Sequence, residues 1–355
     1  MILQHTELLN DIKILVQQAR SLAVRQINQL QVAANFEIGQ RIVEEEQRGA
    51  DRAEYGKQLL LVLSRALTEE FGRGFSRSNL EYMRKFFLTY RERCEAISQK
   101  PSGKLATTKS MQTILEKTKV FKLSWSHYVF LISIKNSDER SFYEIEAHQN
   151  NWSLPELRRQ FDSGLFERLA LSLHPDEISS LAQQGQLITK PQDLLKNPYV
   201  LEFLGLEIHS SYSESDMEAA IINKIEHFLL ELGKGFLFEA RQKRFTFEEE
   251  HFFVDLVFYN RLLRCYVLID LKIGKLTHQN LGQMQMYVNY FDRYVKLEDE
   301  NATIGIILCK KKNDALVEIT LPKDANIHAS EYQLYLPSKE ELQQRLSEWI
   351  KEAEA

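Results

Sequence analysis

The sequence predicts two domains of different class: an α-helical N-terminal domain with helix-turn-helix-like elements, and a C-terminal α/β domain built on a mixed central sheet. Three observations predict this. The chain has 355 residues, more than one hydrophobic core usually organises. From Thr6 to Arg93 apolar residues recur every three or four positions, as in Leu8, Ile12 and Leu15 and again in Leu59, Leu63 and Leu67, the period of a helix. Beyond about residue 215 the pattern changes, with one helical stretch followed by β-rich runs at Phe236–Arg241, Arg244–Thr246, Phe252–Tyr259, Cys265–Ile273 and Thr303–Cys309. A helix over Leu281–Val295 separates the last two, an order that fits an α/β or α+β core.

In the N-terminal half, a helix over about 55–71 ends at Gly72-Arg73-Gly74. Ser78-Asn79-Leu80-Glu81 then has the form of a capping box opening a second helix to about Glu92. Helix, short glycine-containing turn and helix make the helix-turn-helix outline. A plain helical hairpin has the same outline, and local charge favours the nucleic-acid reading. Residues 57–122 carry 14 Lys and Arg against 6 Asp and Glu, whereas the whole chain has a net charge of −5. Arg73, Arg77, Arg84 and Lys85 are therefore the candidate nucleic-acid contacts of this half. The stretch 97–119, rich in Thr and Lys around Pro101-Ser102-Gly103, reads as a polar connector. Helical patterning returns at Ser124 and Asp138. At Trp152-Ser153-Leu154-Pro155-Glu156, Ser153 is placed to cap, Pro155 to sit in the first turn and Glu156 to complete a capping box. The following helix turns Leu157, Phe161 and Leu165 to one face and Arg158 and Arg159 away from it, where they could meet phosphates or solvent. The expected organisation is a helical domain over 1–170, a linker over 171–195 and a second domain over 196–355.

Residues 171–355 carry 20 basic against 29 acidic side chains, and it is in this acidic half that a metal is expected. Two apolar runs, Val254 to Tyr259 and Arg264 to Lys272, flank a short turn. Asp270 and Lys272 are two apart and share a face on a strand, and hairpin pairing of suitable register brings Asp255 to the same face. Two carboxylates and an ammonium on an otherwise apolar sheet are costly to bury without a ligand. The set suits a hard divalent cation, Mg2+ or Mn2+, and phosphodiester hydrolysis. Asp255 and Asp270, with the Leu271 carbonyl, would be oxygen ligands, and Lys272 would orient the water or neutralise a phosphate oxygen. Glu218, Glu226 and Glu231 of the preceding helix are all candidates for a further carboxylate. Gln283 and Tyr287, one helical turn apart, face the same way.

Cys94, Cys265 and Cys309 form no CxxC pair and follow no secretory leader, which suits a reducing cytoplasm, and no apolar run reaches the roughly 20 residues of a membrane helix.

Longer motifs carry a resemblance. Ala53-Glu54-Tyr55-Gly56-Lys57, Phe71-Gly72-Arg73-Gly74-Phe75-Ser76 with Asn79-Leu80, and Leu123-Ser124-Trp125-Ser126-His127-Tyr128 lie in the first half. Lys196-Asn197-Pro198-Tyr199 through Gly205-Leu206, and Phe228 through Gly235-Phe236, lie in the second. Over nearly the whole chain the sequence resembles the bacterial YhcG-type family of PDDEXK nucleases, which carry a helical N-terminal domain of unknown function. The resemblance implies a restriction-endonuclease-like PD-(D/E)xK domain at the C-terminus and a metal-dependent nuclease. Asp255, Asp270, Lys272 and the Gln283/Tyr287 pair match the family's site, and Glu218 best matches its helix acid. The family usually has Glu where this chain has Asp270, and an aromatic pair where this chain has Asn35-Phe36. DNA is the expected partner, with RNA also admitted, and a homodimer is expected for cutting two strands. The rival readings are a non-catalytic nucleic-acid-binding protein and a structure-specific junction nuclease.

Overall fold

The computed structural model describes residues 2–48, 53–98, 114–173, 177–206, 212–247, 249–322 and 324–354. Two compact units result: Met1–Arg140 with Ala147–Leu154, and Ser141–Glu146 with Pro155–Ala355. No helix among the described residues is long and apolar enough to cross a membrane.

The first unit is helical, with α1 (Ile2–Arg48), α2 (Ala53–Phe71), α3 (Arg77–Ser98) and α4 (Trp125–Leu131), and α5 (Ser137–Gln149) shared between the units. Its core joins α1 and α3. Phe36, inside the departing Asn35-Phe36 pair, is buried edge-on against Phe86 at 5.7 Å, and Phe121 and Tyr128 complete the aromatic cluster. The helices cross closely at Gly39, where a Cβ would stand 2.1 Å from the Met83 carbonyl oxygen, so only glycine permits the contact. Nearer its N-terminus α1 leaves Leu8, Leu15, Leu22 and Ile27 exposed. The turn between α2 and α3 holds Gly72 and Gly74 at positive φ. The cap of α3 differs from expectation: Ser76, not Ser78, receives the backbone N–H of Asn79, at 3.3 Å, because the helix begins at Arg77. Most of the connector read over 97–119 lies outside the described residues, at 99–113.

The second unit contains α6 (Leu154–Asp162) from Pro155 onward, α7 (Leu165–Ala170), α8 (Ile178–Gln184), α9 (Glu214–Asn223), α10 (Ile225–Leu232), α11 (His278–Tyr294), α12 (Asp314–Thr320) and α13 (Lys339–Glu354). The stretch read as a linker, 171–195, here carries α8 and a 3-10 turn at Pro191–Leu194, with Leu181 and Leu194 buried.

Six strands form one mixed sheet: β1 (Tyr199–Val200), β2 (Phe236–Phe247), β3 (Glu250–Asn260), β4 (Cys265–Lys275), β5 (Ile304–Lys311) and β6 (Ile327–Gln333), in the order β1-β6-β5-β4-β3-β2. β2, β3 and β4 are antiparallel, while β4, β5, β6 and β1 run parallel. Helices cover both faces. Met217, Ile221 and Phe228 pack on Leu256, Phe258, Ile269 and Ile306 on one side. On the other, Leu281, Met284, Val288 and Phe291 pack on Val254, Val257, Leu268 and Ile307. The alternation of these two sets along β4 is the period of two read from the sequence. The one helical stretch expected beyond about residue 215 is split at Lys224 into α9 and α10. The two expected runs from Phe236 to Thr246 are one strand, irregular between Phe238 and Ala240, with Gln242 at φ 45°. All three cysteines are buried, and among the described residues none forms a disulfide.

Candidate functional site

The β3–β4 hairpin is closed by Asn260, whose side-chain oxygen accepts the N–H groups of Leu262 and Leu263 while its amide donates to the Lys234 carbonyl. Pairing runs from Asn260 opposite Cys265 to Leu256 opposite Ile269, and the next step brings Asp255 alongside Asp270. Asp255 Oδ2 accepts the backbone N–H of Leu271 at 2.9 Å. Asp270 is 2% exposed, with its Oδ2 2.9 Å from Lys272 Nζ. Burial, and next the charge of Asp255, push the Asp270 carboxyl up to about 7 against the pull of Lys272. For Lys272, burial opposes the charge, but Asp270 and Glu214 outweigh it and hold the ammonium above its ordinary range. The three residues expected to converge do so.

Of the three candidate helix acids, the structure brings Glu218 of α9 to the site. It is buried and ion-paired through Oε1 with Arg241 at 2.8 Å. Gln242 Nε2 donates to Glu218 Oε2 at 2.5 Å and to Asp255 Oδ1 at 3.1 Å, and so bridges acids from a helix and a strand. Glu226 is 87% exposed. Glu231 is fully buried elsewhere, between Arg168 and Arg159. Gln283 donates to the hydroxyl of Tyr287. Burial first, and then the charges of Asp270 and Asp255, raise the Tyr287 hydroxyl, which places the ring beside the acids.

Sequence reasoning missed Gln242, Arg241 and Glu214. Glu214 is the first residue of α9 and lies 3.4 Å from Lys272 Nζ. A signal for Gln242 existed, in the break between the two expected runs of β2.

The donor set fits a hard cation. Glu218 Oε1 and Asp270 Oδ2 are buried carboxylate oxygens without a hydrogen bond; each has a cationic nitrogen within 3 Å, but neither contact is aligned as one. Among the described residues, no three His, Cys, Asp or Glu side chains form a ready-made metal cluster, and the amide of Gln242 occupies the space between Glu218 and Asp255.

The basic residues singled out from sequence divide. In the first unit, Arg73 and Lys85 are exposed, Arg77 pairs with Glu81 at 3.1 Å and Arg84 with Glu46. In the second, Arg158 is exposed, but Arg159 is turned inward. It donates to Glu202, Glu231 and the Val200 carbonyl, because the fully buried Glu231 needs cationic partners.

A family model described as the YhcG PDDEXK nuclease domain matches residues 192–347, and one described as the DUF1016 N-terminal domain matches residues 11–168. The Escherichia coli (strain K12) protein called "Putative nuclease YhcG" is 42% identical over 347 residues, covering 94% of this chain and 91% of that protein. Among solved structures, a repair endonuclease from Pyrococcus abyssi is 18% identical over 36% of this chain and 50% of its own, with a TM-score of 0.24. The EndoMS-dsDNA2 complex is 16% identical over 38% of this chain and 50% of its own, with a TM-score of 0.25.

Proposed function

Since this chain belongs to the YhcG family of PDDEXK nucleases, we propose that it hydrolyses phosphodiester bonds of DNA with a divalent cation, Mg2+ or Mn2+. Asp255 and Asp270 would hold the ion, with Glu218 and the Leu271 carbonyl completing an oxygen set. The observation that carries the reading is the meeting of Asp255, Asp270 and Lys272 on one strand pair, with Asp255 fastened to the Leu271 N–H.

When bound, the cation supplies an acidified water and neutralises charge gathering on the phosphate. The remaining work falls to side chains. The Lys272 ammonium, held protonated by Asp270, is a donor for the attacking water or a phosphate oxygen. The Leu271 N–H fixes the rotamer of Asp255, so one ligand is set before substrate arrives. The Gln283/Tyr287 pair presents a second donor group beside the acids. In this reading the N-terminal unit engages DNA through the exposed Arg73 and Lys85, aided by Arg77 and Arg84. The active form is a homodimer, since cutting two strands calls for two sites, and it works in the cytoplasm.

The test is cleavage of labelled linear, single-stranded and branched DNA with Mg2+ or Mn2+, comparing wild type with Lys272→Ala and Asp255→Ala. Metal-dependent cutting that both substitutions abolish supports the reading. Cutting that survives both removes it, and DNA binding without any cutting by the wild type turns the assignment to a non-catalytic binding protein.

A further inference from the structure

Along the outer side of α11 runs a groove of about 340 Å³ that the catalytic reading leaves unused. Its walls are aromatic: Phe245 and Phe247 from β2, Tyr290 and Tyr294 from α11. Phe245 stacks on Tyr290 with ring centres 4.1 Å apart and planes 21° from parallel. It also meets Tyr287 edge-on at 5.6 Å, so one ring belongs to the groove and touches the tyrosine beside the acids. Phe247 and Tyr294 expose 51% and 64% of their surface. Singly exposed rings are ordinary, but these two line one groove, and a contiguous apolar patch of that kind marks a binding surface.

The groove is also polar at chosen points. Gln285 lines it, donating its amide to Asn289 at 3.2 Å, while its Oε1 is buried with no hydrogen-bond partner. A desolvated acceptor is costly to leave unmade, and a turn of the Gln285 amide toward the groove would let that oxygen accept an N–H in the plane of a flat ring. Arg293 supplies a cation on the same wall. Flat π-faces, one in-plane acceptor and one cation match a nucleobase followed by its phosphate. The volume is of the order of one nucleoside.

We propose that this groove receives an unpaired nucleobase of the substrate strand, so that the protein favours DNA with an unpaired tail, branch or displaced base over intact duplex. The proposal rests on the nuclease reading for its substrate, and it is tested by binding rather than by cutting, so the two can fail separately.

The experiment uses the full chain in EDTA and three fluorescent DNAs: a duplex with a four-nucleotide overhang, the same duplex with an abasic overhang that keeps its sugars and phosphates, and a blunt duplex. Stacking of one or two bases predicts that the base-bearing overhang binds about ten-fold more tightly than the abasic one. Tyr294→Ala and Phe247→Ala, at exposed positions whose loss spares the core, should each shrink that gap several-fold with melting unchanged. Gln285→Leu should shrink it as well. Equal binding of the base-bearing and abasic overhangs overturns the proposal, as does a gap that all three variants preserve or a failure to bind any of the three DNAs. Cutting by a protein that shows no base preference removes the groove and leaves the nuclease reading standing.

Discussion

Asp255 accepts the backbone N–H of Leu271, the peptide that separates Asp270 from Lys272. A carboxylate on β3 is thus tied to the two residues on β4 with which it must act, and the tie is made before any ligand enters.

The first prediction concerns Asp270. Its carboxyl is raised to about 7 in the folded protein against an ordinary 3.8, so between those values the folded state holds a proton that the unfolded chain has lost. Metal-free stability should therefore fall as pH rises from about 4 to about 7. Asp270→Asn, which has no charge to bury, should lose this part of the pH dependence and gain stability relative to wild type above pH 7, while losing cleavage. Urea unfolding in EDTA at pH 5 and pH 8 reads it, and parallel pH slopes for the two proteins would contradict it.

Gln242 gives a second. Its amide bridges Glu218 and Asp255 from a backbone at φ 45°, a conformation that side-chain-bearing residues seldom adopt. Gln242→Ala should destabilise the metal-free protein by about 1 to 3 kcal/mol, the worth of a hydrogen bond to a charged group. Added Mn2+ should then raise its melting temperature more than it raises that of wild type, because no amide has to leave the space between the acids. A smaller Mn2+ shift in the variant would show that Gln242 assists the ion instead.

A third follows from Lys196. It is buried beside Arg168 and Arg159 and donates to the Glu231 carbonyl; burial first, and then the two arginines, bring its ammonium down to about 7. Between that value and 10.5 the unfolded chain binds a proton that the folded chain does not, so this residue adds stability as pH rises and withholds it at pH 7. Lys196→Met should be more stable relative to wild type at pH 7 than at pH 9. Thermal melting at the two values decides, and an unchanged difference would mean that Lys196 does not titrate there.

Gly39 gives the fourth. A methyl group there meets the Met83 backbone, which cannot swing aside as a flexible side chain can. Gly39→Ala should cost roughly 1 to 3 kcal/mol through the forced separation of α1 from α3. Circular dichroism during denaturation would record the loss, and DNA cleavage under native conditions should persist.

What could be read in advance follows a physical division. Asp255, Asp270 and Lys272 were legible because strand geometry is a short-range rule: two positions apart means one face, and a hairpin register supplies the third. Glu218 could not be separated from Glu226 and Glu231 by the same means. The choice among them depends on partners distant in sequence, since Arg168 and Arg159 take up Glu231 from 63 and 72 positions away. Gln242 escaped notice because the break it makes in β2 reads, in the hydrophobic pattern, as a gap between two runs and not as a side chain turned toward the acids. The break between α9 and α10 was hidden by apolar spacing that continues across Lys224, and the cap of α3 was read at Ser78 because serines at 76 and 78 offer the same chemistry.

The buried thiols have a practical consequence. Cys94, Cys265 and Cys309 are enclosed, and burial pushes Cys265 and Cys309 up to about 12 and 11, so near neutral pH they carry almost no reactive thiolate. A maleimide dye should therefore react only slowly with Cys265 and Cys309 in the native chain. A single cysteine introduced at Leu237, 54% exposed, should take the label well ahead of Cys265 and Cys309, with the native thiols left in place.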